Sequence, residues 1–146
     1  MDTRFNLQRF IDAQDRVYEK VREELLEGVK RTDWMLFIFP QIEGRGNSVR
    51  AQELAIGSLD EAVAYMAHPL IGPRLIECAA LVAAIEGRNA NQIFGYPDDM
   101  KFGSSMTLFS QAAPEEPVFR TCIDKYFGGV PDELTMQRLR ELGGQA

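Results

Sequence analysis

Apolar side chains recur at intervals of three and four residues along most of this chain, and polar or charged residues fill the positions between them. This spacing is typical of one buried face of an α-helix. One clear case is the set Phe119, Cys122, Ile123, Tyr126 and Phe127. The sequence contains no strand-like alternation of useful length, no internal repeat and no linker. The pattern therefore predicts an all-α fold with a single compact domain over residues 1–146, built from seven to nine short helices packed as an irregular orthogonal bundle.

Capping and stop signals divide the pattern into separate helices. Ser58 followed by Glu61 is a capping box, which predicts a helix start. Gly128–Gly129 follows an apolar stripe and predicts a helix end. Pro73 suits a first helical position and Gly87 a stop, and the segment between them, RLIECAALVAAIE, is apolar on most sides. We expect that segment to be the central, most buried helix.

The run WMLFIF at residues 34–39 interrupts this periodicity. Six consecutive apolar residues fit either a buried strand or a buried helical turn. Thr32 or Asp33 can cap a helix, Pro40 stops one, and a lone strand would leave its backbone groups unpaired. We predict a short helix over 33–39 that is buried in the core. A wall of a binding site is the second interpretation.

Composition and charge limit the classes of function. The 45% hydrophobic and 26% charged residues are typical of a globular domain, and the net charge of −6 disfavours nucleic-acid binding. No apolar run approaches the roughly eighteen residues that span a bilayer, and the first residues do not resemble a signal peptide. The two cysteines, Cys78 and Cys122, are too few for a disulfide framework and suit a reducing compartment. We expect a cytoplasmic protein without nucleic-acid or membrane partners.

The first candidate ligand site follows the apolar run. Gln41 precedes a glycine turn that contains Gly44, Arg45 and Asn47 and leads into a helical pattern at Ser48. Glycines let backbone N–H groups converge, and a helix start adds the positive end of its dipole, so this turn could hold a phosphate or carboxylate. The alternative is a tight loop in which Asn47 or Ser48 caps the helix.

The second candidate site lies in the segment PDDMKFGSSMTLF. Lys101, Ser104 and Ser105 share one helix face, where a lysine above two hydroxyls could bind an anion or act as a base and nucleophile. The alternative is a polar face between helices. Asp98 and Asp99 stand where a helix would begin, which capping and the helix dipole explain.

His68 and Arg74 complete the candidate residues. His68 is the single histidine, so it cannot build a zinc site with two cysteines that lack C-x-x-C spacing. It could serve as a general base or as a helix-end cap, and Arg74 could bind an anion or form a salt bridge. The sequence contains no G-x-S-x-G, phosphate-binding loop or H-E-x-x-H motif, and we expect no metal or cofactor.

Four segments resemble the signature blocks of an uncharacterised bacterial family in their order and spacing: FNLQRFIDAQ, WMLFIFPQIEGRGNS, AVAYMAHPLIGPRL and IFGYPDDMKFGSSMTLF. That family is a mainly helical domain of unknown function, and some of its members carry the label "calpastatin". The resemblance covers about residues 5–140. It implies an all-α single domain and implies no activity or catalytic residue.

The chain departs from those blocks at several positions. Asp33 stands where the family has a histidine, Leu36 replaces a tryptophan, and Arg45 replaces an apolar residue. Phe102–Gly103 replaces a leucine–arginine pair. Loss of that histidine and that arginine argues against a shared acid/base or anion site built on them.

We interpret the sequence as that of a protein that binds a small anionic or nucleotide-like ligand. The main alternative is an interaction module that binds another protein through an exposed apolar patch, and the third is a hydrolase or transferase that pairs a serine with Lys101 or His68. The expected ligand site combines the two candidate clusters: Gln41, Gly44, Arg45, Ser48, His68, Arg74, Lys101, Ser104 and Ser105. This hypothesis requires Lys101, Ser104 and the 44–48 turn to face one cavity.

Overall fold

Ten α-helices make up residues 4–143, the part of the chain that this computed structural model describes. Within that range the extended backbone is limited to one parallel bridge between Ile42 and Ile56. The predicted all-α fold is confirmed. The helices are α1 (Gln8–Asp15), α2 (Tyr18–Glu27), α3 (Met35–Ile38), α4 (Val49–Glu53), α5 (Leu59–Ala67), α6 (Ile71–Ala83), α7 (Ala90–Phe94), α8 (Asp98–Ala112), α9 (Pro117–Phe127) and α10 (Glu133–Gly143).

Helix α7 was not predicted, although its start carries a reciprocal capping box. The Gln92 backbone N–H donates to the Asn89 side chain and the Asn89 N–H donates to the Gln92 side chain, each at 2.8 Å. The helix has only five residues, which is too short for a hydrophobic stripe to repeat. Its cap was therefore the one local signal available.

The central helix is α8, and the expectation that α6 would be the most buried helix is wrong. All eight residues from Phe102 to Phe109 are buried, because α8 packs against α3, α5, α7, α9 and α10. Two of the small polar residues in this interior, Ser104 and Thr107, are hydrogen-bonded to Asp132. Ser104 donates to Asp132 at 3.1 Å, and the Thr107 hydroxyl accepts from the Asp132 backbone N–H at 2.8 Å. A hydrophobicity pattern assigns such residues to the surface.

Gly103 lets α9 approach α8 closely. A Cβ atom at this position would lie 3.1 Å from the ring of Phe127, tighter than ordinary van der Waals contact. The neighbouring residue Phe102 lies at the centre of an aromatic cluster. Its ring centre is 5.0 Å from that of Phe39 and 4.7 Å from that of Phe94.

The run at 34–39 forms the short buried helix that the sequence predicted. Helix α3 spans Met35–Ile38, and Trp34, Phe37 and Phe39 are all buried. The predicted cap is wrong, because Trp34 occupies the N-cap position without a side-chain hydrogen bond. The Thr32 hydroxyl instead donates to the carboxylate of Glu24.

Two other helix starts were predicted, one at Ser58 and one at Pro73. Ser58 caps α5 and accepts from the Glu61 N–H at 3.1 Å, as predicted, but the Glu61 carboxylate accepts from Gly57 rather than closing the box. Pro73 is the third residue of α6 and not the first, since the helix begins at Ile71.

Gly72 of α6 lies in close contact with the backbone of α5. A Cβ atom there would lie 2.3 Å from the carbonyl oxygen of Met66. We expect Gly72→Ala to reduce the free energy of unfolding by about 1–3 kcal/mol, the usual cost of overpacking, as measured by urea denaturation. Gly143→Ala is the matched control, since no atom of another element within residues 4–143 lies within 4 Å of a Cβ at Gly143. Equal stability of the two variants would show that α5 and α6 do not meet this closely.

Candidate functional site

The buried carboxylate of Glu24 organises the loop between α2 and α3. Its oxygens accept from the backbone N–H groups of Arg31 at 2.7 Å and Thr32 at 3.1 Å. They also accept from the Thr32 hydroxyl at 2.6 Å and from Nε1 of Trp34 at 2.9 Å. These contacts fix the path of the loop and hold Trp34 against the core. Lys30, which lies inside the loop, is positioned with it.

These hydrogen bonds also determine the protonation state of Glu24. Burial of the carboxylate raises its pKa. The hydrogen bonds from Thr32, Arg31 and Trp34 lower the pKa by more than burial raises it, so the pKa is about 2. Four donors face the carboxylate, so its charged form is favoured. Glu24 is therefore ionised at neutral pH.

The loop forms one side of a cavity of about 370 Å³, which we name the lysine pocket. Asp98 lies between two ammonium groups, with Nζ of Lys30 at 2.9 Å and Nζ of Lys101 at 3.6 Å. Nζ of Lys30 lies 5.2 Å from the ring centre of Trp34, within cation–π range. The pocket is lined by aromatic, aliphatic and charged side chains: Lys30, Asp33, Trp34, Met35, Leu36, Phe37, Arg50, Asp98 and Lys101.

The glycine turn forms part of a second cavity of about 400 Å³, which we name the turn cavity. Gly44 has φ +89°, a backbone conformation that favours glycine, so the chain reverses here after the bridge between Ile42 and Ile56. Leu36 lines both cavities, which are therefore neighbours. The turn cavity is lined by the turn, by α4 and by adjoining residues: Leu36, 41–47, Ala51, Gln52, Leu54 and Ala55.

Arg45 of the turn joins Ser104 of α8 in a structural network around Asp132. The Arg45 guanidinium donates to the Ser104 hydroxyl at 3.3 Å and lies 3.4 Å from the Asp132 carboxylate. Asp132 also caps α10 by accepting from the Thr135 N–H at 3.1 Å and its hydroxyl at 2.5 Å. The network ties the turn and α10 to the central helix. Ser104 is fully buried and has this structural function.

Ser48 and Ser105 lie apart from this network. Ser48 is the N-cap of α4 and accepts from the Ala51 N–H at 3.0 Å, which is the alternative that the sequence offered. Ser105 is fully buried, and its hydroxyl has no hydrogen-bond partner within residues 4–143.

His68 and Arg74 lie outside both cavities. Nδ1 of His68 accepts from the backbone N–H groups of Leu70 at 3.1 Å and Ile71 at 3.4 Å, so the ring caps the start of α6. Arg74 pairs with Asp15 at 3.0 Å and donates to the Gln14 side chain at 3.3 Å. The structure thus gives each residue the capping or salt-bridge function that was its alternative interpretation.

The nine candidate residues therefore do not face one cavity. Gln41, Gly44 and Arg45 line the turn cavity, with Ser104 behind Arg45, whereas Lys101 lies in the lysine pocket. Sequence reasoning missed Lys30 and Arg50, two of the three cationic side chains in that pocket. No local spacing signals them, because they are brought to Lys101 by the packing of the α2–α3 loop and α4 near the start of α8.

No group of three or more His, Cys, Asp or Glu side chains within residues 4–143 is arranged to hold a metal ion. None of the described helices is long and apolar enough to cross a membrane.

Fold and cavities together define a small all-α protein with two neighbouring cavities. The chain belongs to the family described as "Protein of unknown function (DUF1810)", whose profile matches residues 4–139. The resemblance to an uncharacterised family is thereby confirmed.

One solved structure has the same fold. The crystal structure of the conserved hypothetical protein Rv1873 from Mycobacterium tuberculosis matches with a TM-score of 0.91 and 49% sequence identity. The match covers 92% of this chain and 96% of the mycobacterial chain. No curated protein matches this chain at a significant level.

The lowered pKa of Glu24 predicts that the free energy of unfolding depends on pH. Its pKa is about 2 in the folded protein against an ordinary 4.5, so its contribution is complete above pH 4.5 and is lost as the pH falls towards 2. We expect Glu24→Gln to lower the free energy of unfolding by roughly 1–3 kcal/mol at pH 7, because buried donors lose a charged acceptor. The difference from the parent should shrink at pH 3, as measured by urea denaturation.

The control for this experiment is Glu23→Gln, which alters an exposed neighbour on the same helix. This variant should unfold like the parent at both pH values. A Glu24→Gln deficit of the same size at pH 7 and pH 3 would contradict the lowered pKa.

Proposed function

We propose that this protein binds a small anionic ligand in the lysine pocket. The observation that carries the proposal is the sharing of one carboxylate, Asp98, by the ammonium groups of Lys30 and Lys101 at 2.9 Å and 3.6 Å. A single carboxylate neutralises one of these charges. An anion between the lysines would neutralise the other and relieve their mutual repulsion.

The charge balance of the whole pocket supports an anionic ligand. Three cationic side chains, Lys30, Arg50 and Lys101, line it with two acidic ones, Asp33 and Asp98, which leaves one positive charge in excess. Arg50 forms no ion pair within residues 4–143. The protein as a whole carries a net charge of −6, so a locally positive cavity departs from the general character of the chain.

The apolar walls of the pocket strengthen the attraction between its lysines and an anion. The side chain of Lys30 is only 8% exposed, and it lies against the buried ring of Trp34. Charges interact more strongly where apolar walls exclude water. The volume of about 370 Å³ is within the usual range for sites of small ligands.

The hydrolase or transferase alternative gains no support from the geometry. The hydroxyl of Ser104 is bound to Asp132 and Arg45, and Ser105 is fully buried. Lys101 is ion-paired with Asp98. A nucleophile and base pair requires a reachable hydroxyl with its base in hydrogen-bonding distance, and anion binding accounts for Lys101 without that requirement.

Protein binding is the second candidate function, and exposed apolar residues near α5 favour it. Leu59, Val63 and Leu70 are all exposed. Val63 lines a cavity of about 430 Å³ together with Leu7 and Ala67. Such apolar surfaces can mark contacts with other proteins.

We further propose that the protein acts in the cytoplasm. Cys78 and Cys122 are free thiols in separate buried positions. Burial raises the pKa of each thiol to about 12, so both resist oxidation and behave as small apolar side chains. Cell fractionation that located the protein outside the cytoplasm would contradict this proposal.

Thermal unfolding in inorganic phosphate tests the anion site. At constant ionic strength, adjusted with chloride, phosphate should raise the melting temperature by mass action. Lys101→Ala should reduce the shift because one ammonium group is removed. Asp98→Asn should enlarge it, because the carboxylate that competes with the ligand is removed.

Lys20→Ala is the matched control, since Lys20 is an exposed lysine on α2 away from the pocket. It should keep the phosphate response of the parent. If phosphate and sulfate give no shift in the parent, or if Lys101→Ala responds as Lys20→Ala does, the anion-site proposal fails. The protein-binding candidate would then be favoured.

A further inference from the structure

The turn cavity contains a buried polar side chain that the fold does not use. Gln41 is 8% exposed and lines the cavity, and its side-chain amide makes no hydrogen bond within residues 4–143. Its backbone is held firmly, because its carbonyl oxygen accepts from the Ile56 N–H at 2.8 Å. Its amide atoms are not among the fully enclosed unpartnered atoms of the described residues, so they face the open cavity, where water or a ligand can pair with them. The amide of Gln41 is thus available to a molecule in the cavity that it lines.

The charged residues around this cavity are already paired with residues near or in α10. Arg45 lies 3.4 Å from Asp132, and Glu43 pairs with Arg138 at 2.5 Å. The polar groups left for a ligand are therefore uncharged. This distinguishes the turn cavity from the lysine pocket, where positive charge is in excess, and it favours a neutral ligand group.

A carboxamide presents a donor and an acceptor side by side in one plane. Glutamine uses this pair to recognise the edge of a nucleobase, which offers a matching acceptor and donor. Leu36, Ile42 and Leu54 supply apolar walls to the same cavity, against which a flat ring can pack. A cavity of about 400 Å³ is large enough for such a ring.

We infer that the turn cavity binds the base of a nucleoside and that Gln41 recognises the edge of that base. Leu36 lines both this cavity and the lysine pocket, so a phosphate carried by the nucleoside would lie towards Lys101. That last step rests on the anion site proposed above. Recognition of the base by Gln41 is independent of the anion site.

The test uses adenosine, guanosine, cytidine and uridine, which carry no phosphate and therefore do not depend on the lysine pocket. At least one of them should raise the melting temperature of the parent protein, and calorimetric titration should give its Kd. In Gln41→Met, which keeps the size of the side chain and removes the amide, that Kd should rise at least about tenfold, equivalent to about 1.4 kcal/mol. Gln111→Met, at an exposed glutamine of α8, should bind as the parent does.

A second variant keeps the test decisive if Gln41→Met folds poorly. Ala55→Leu leaves the amide in place and fills part of the cavity, so it should also weaken nucleoside binding at least about tenfold. The inference is overturned if none of the four nucleosides binds the parent, or if Gln41→Met and Ala55→Leu bind them unchanged. Inorganic phosphate, tested on the same variants, separates this failure from failure of the anion site, because Gln41→Met leaves the lysine pocket intact.

Discussion

The charged carboxylate of Glu24 is the interaction on which the candidate site depends. A glutamate in the interior of a small protein would be unfavourable without hydrogen bonds. Here Arg31, Thr32 and Trp34 supply four of them. The same contacts close the loop after α2, begin α3 and seat Trp34. Lys30 is carried within this loop to within 2.9 Å of Asp98. The lysine pocket is therefore a consequence of how one buried charge is compensated.

A second carboxylate, Asp132, has a comparable function where α10 packs against the central helix. It caps α10 through Thr135 and accepts from Ser104 of α8. It also neutralises Arg45, the cation of the glycine turn. Because that arginine is committed to α10, the turn cavity is left with uncharged polar groups, among them the amide of Gln41. Two adjacent cavities thus acquire different chemistry, one with excess positive charge and one that is neutral and polar.

Much of the fold could be predicted because its signals are local. The helical spacing of apolar residues, the Ser58 cap and the stop at Gly128 all act within one or two turns of the chain. The buried helix at 34–39 was predictable because a lone strand has no partner for its backbone. The misassigned centre of the bundle has a physical cause. Small hydroxyl side chains such as Ser104 and Thr107 are buried once distant residues supply their hydrogen bonds, and local hydrophobicity contains no information on those partners.

The sequence by itself determined the helical class, several helix ends, the burial of the aromatic run and the small polar residues from which a site could be built. Tertiary structure alone decided how those residues are grouped. It placed Lys101 and the glycine turn in different cavities and brought Lys101 beside Lys30, 71 positions earlier in the chain. It also joined Arg45 to Ser104 across 59 positions. The reason is that a hydrogen bond or ion pair depends on a few ångströms in space, whereas periodicity along the chain specifies only which face of a helix is buried, and not which other helix will cover it.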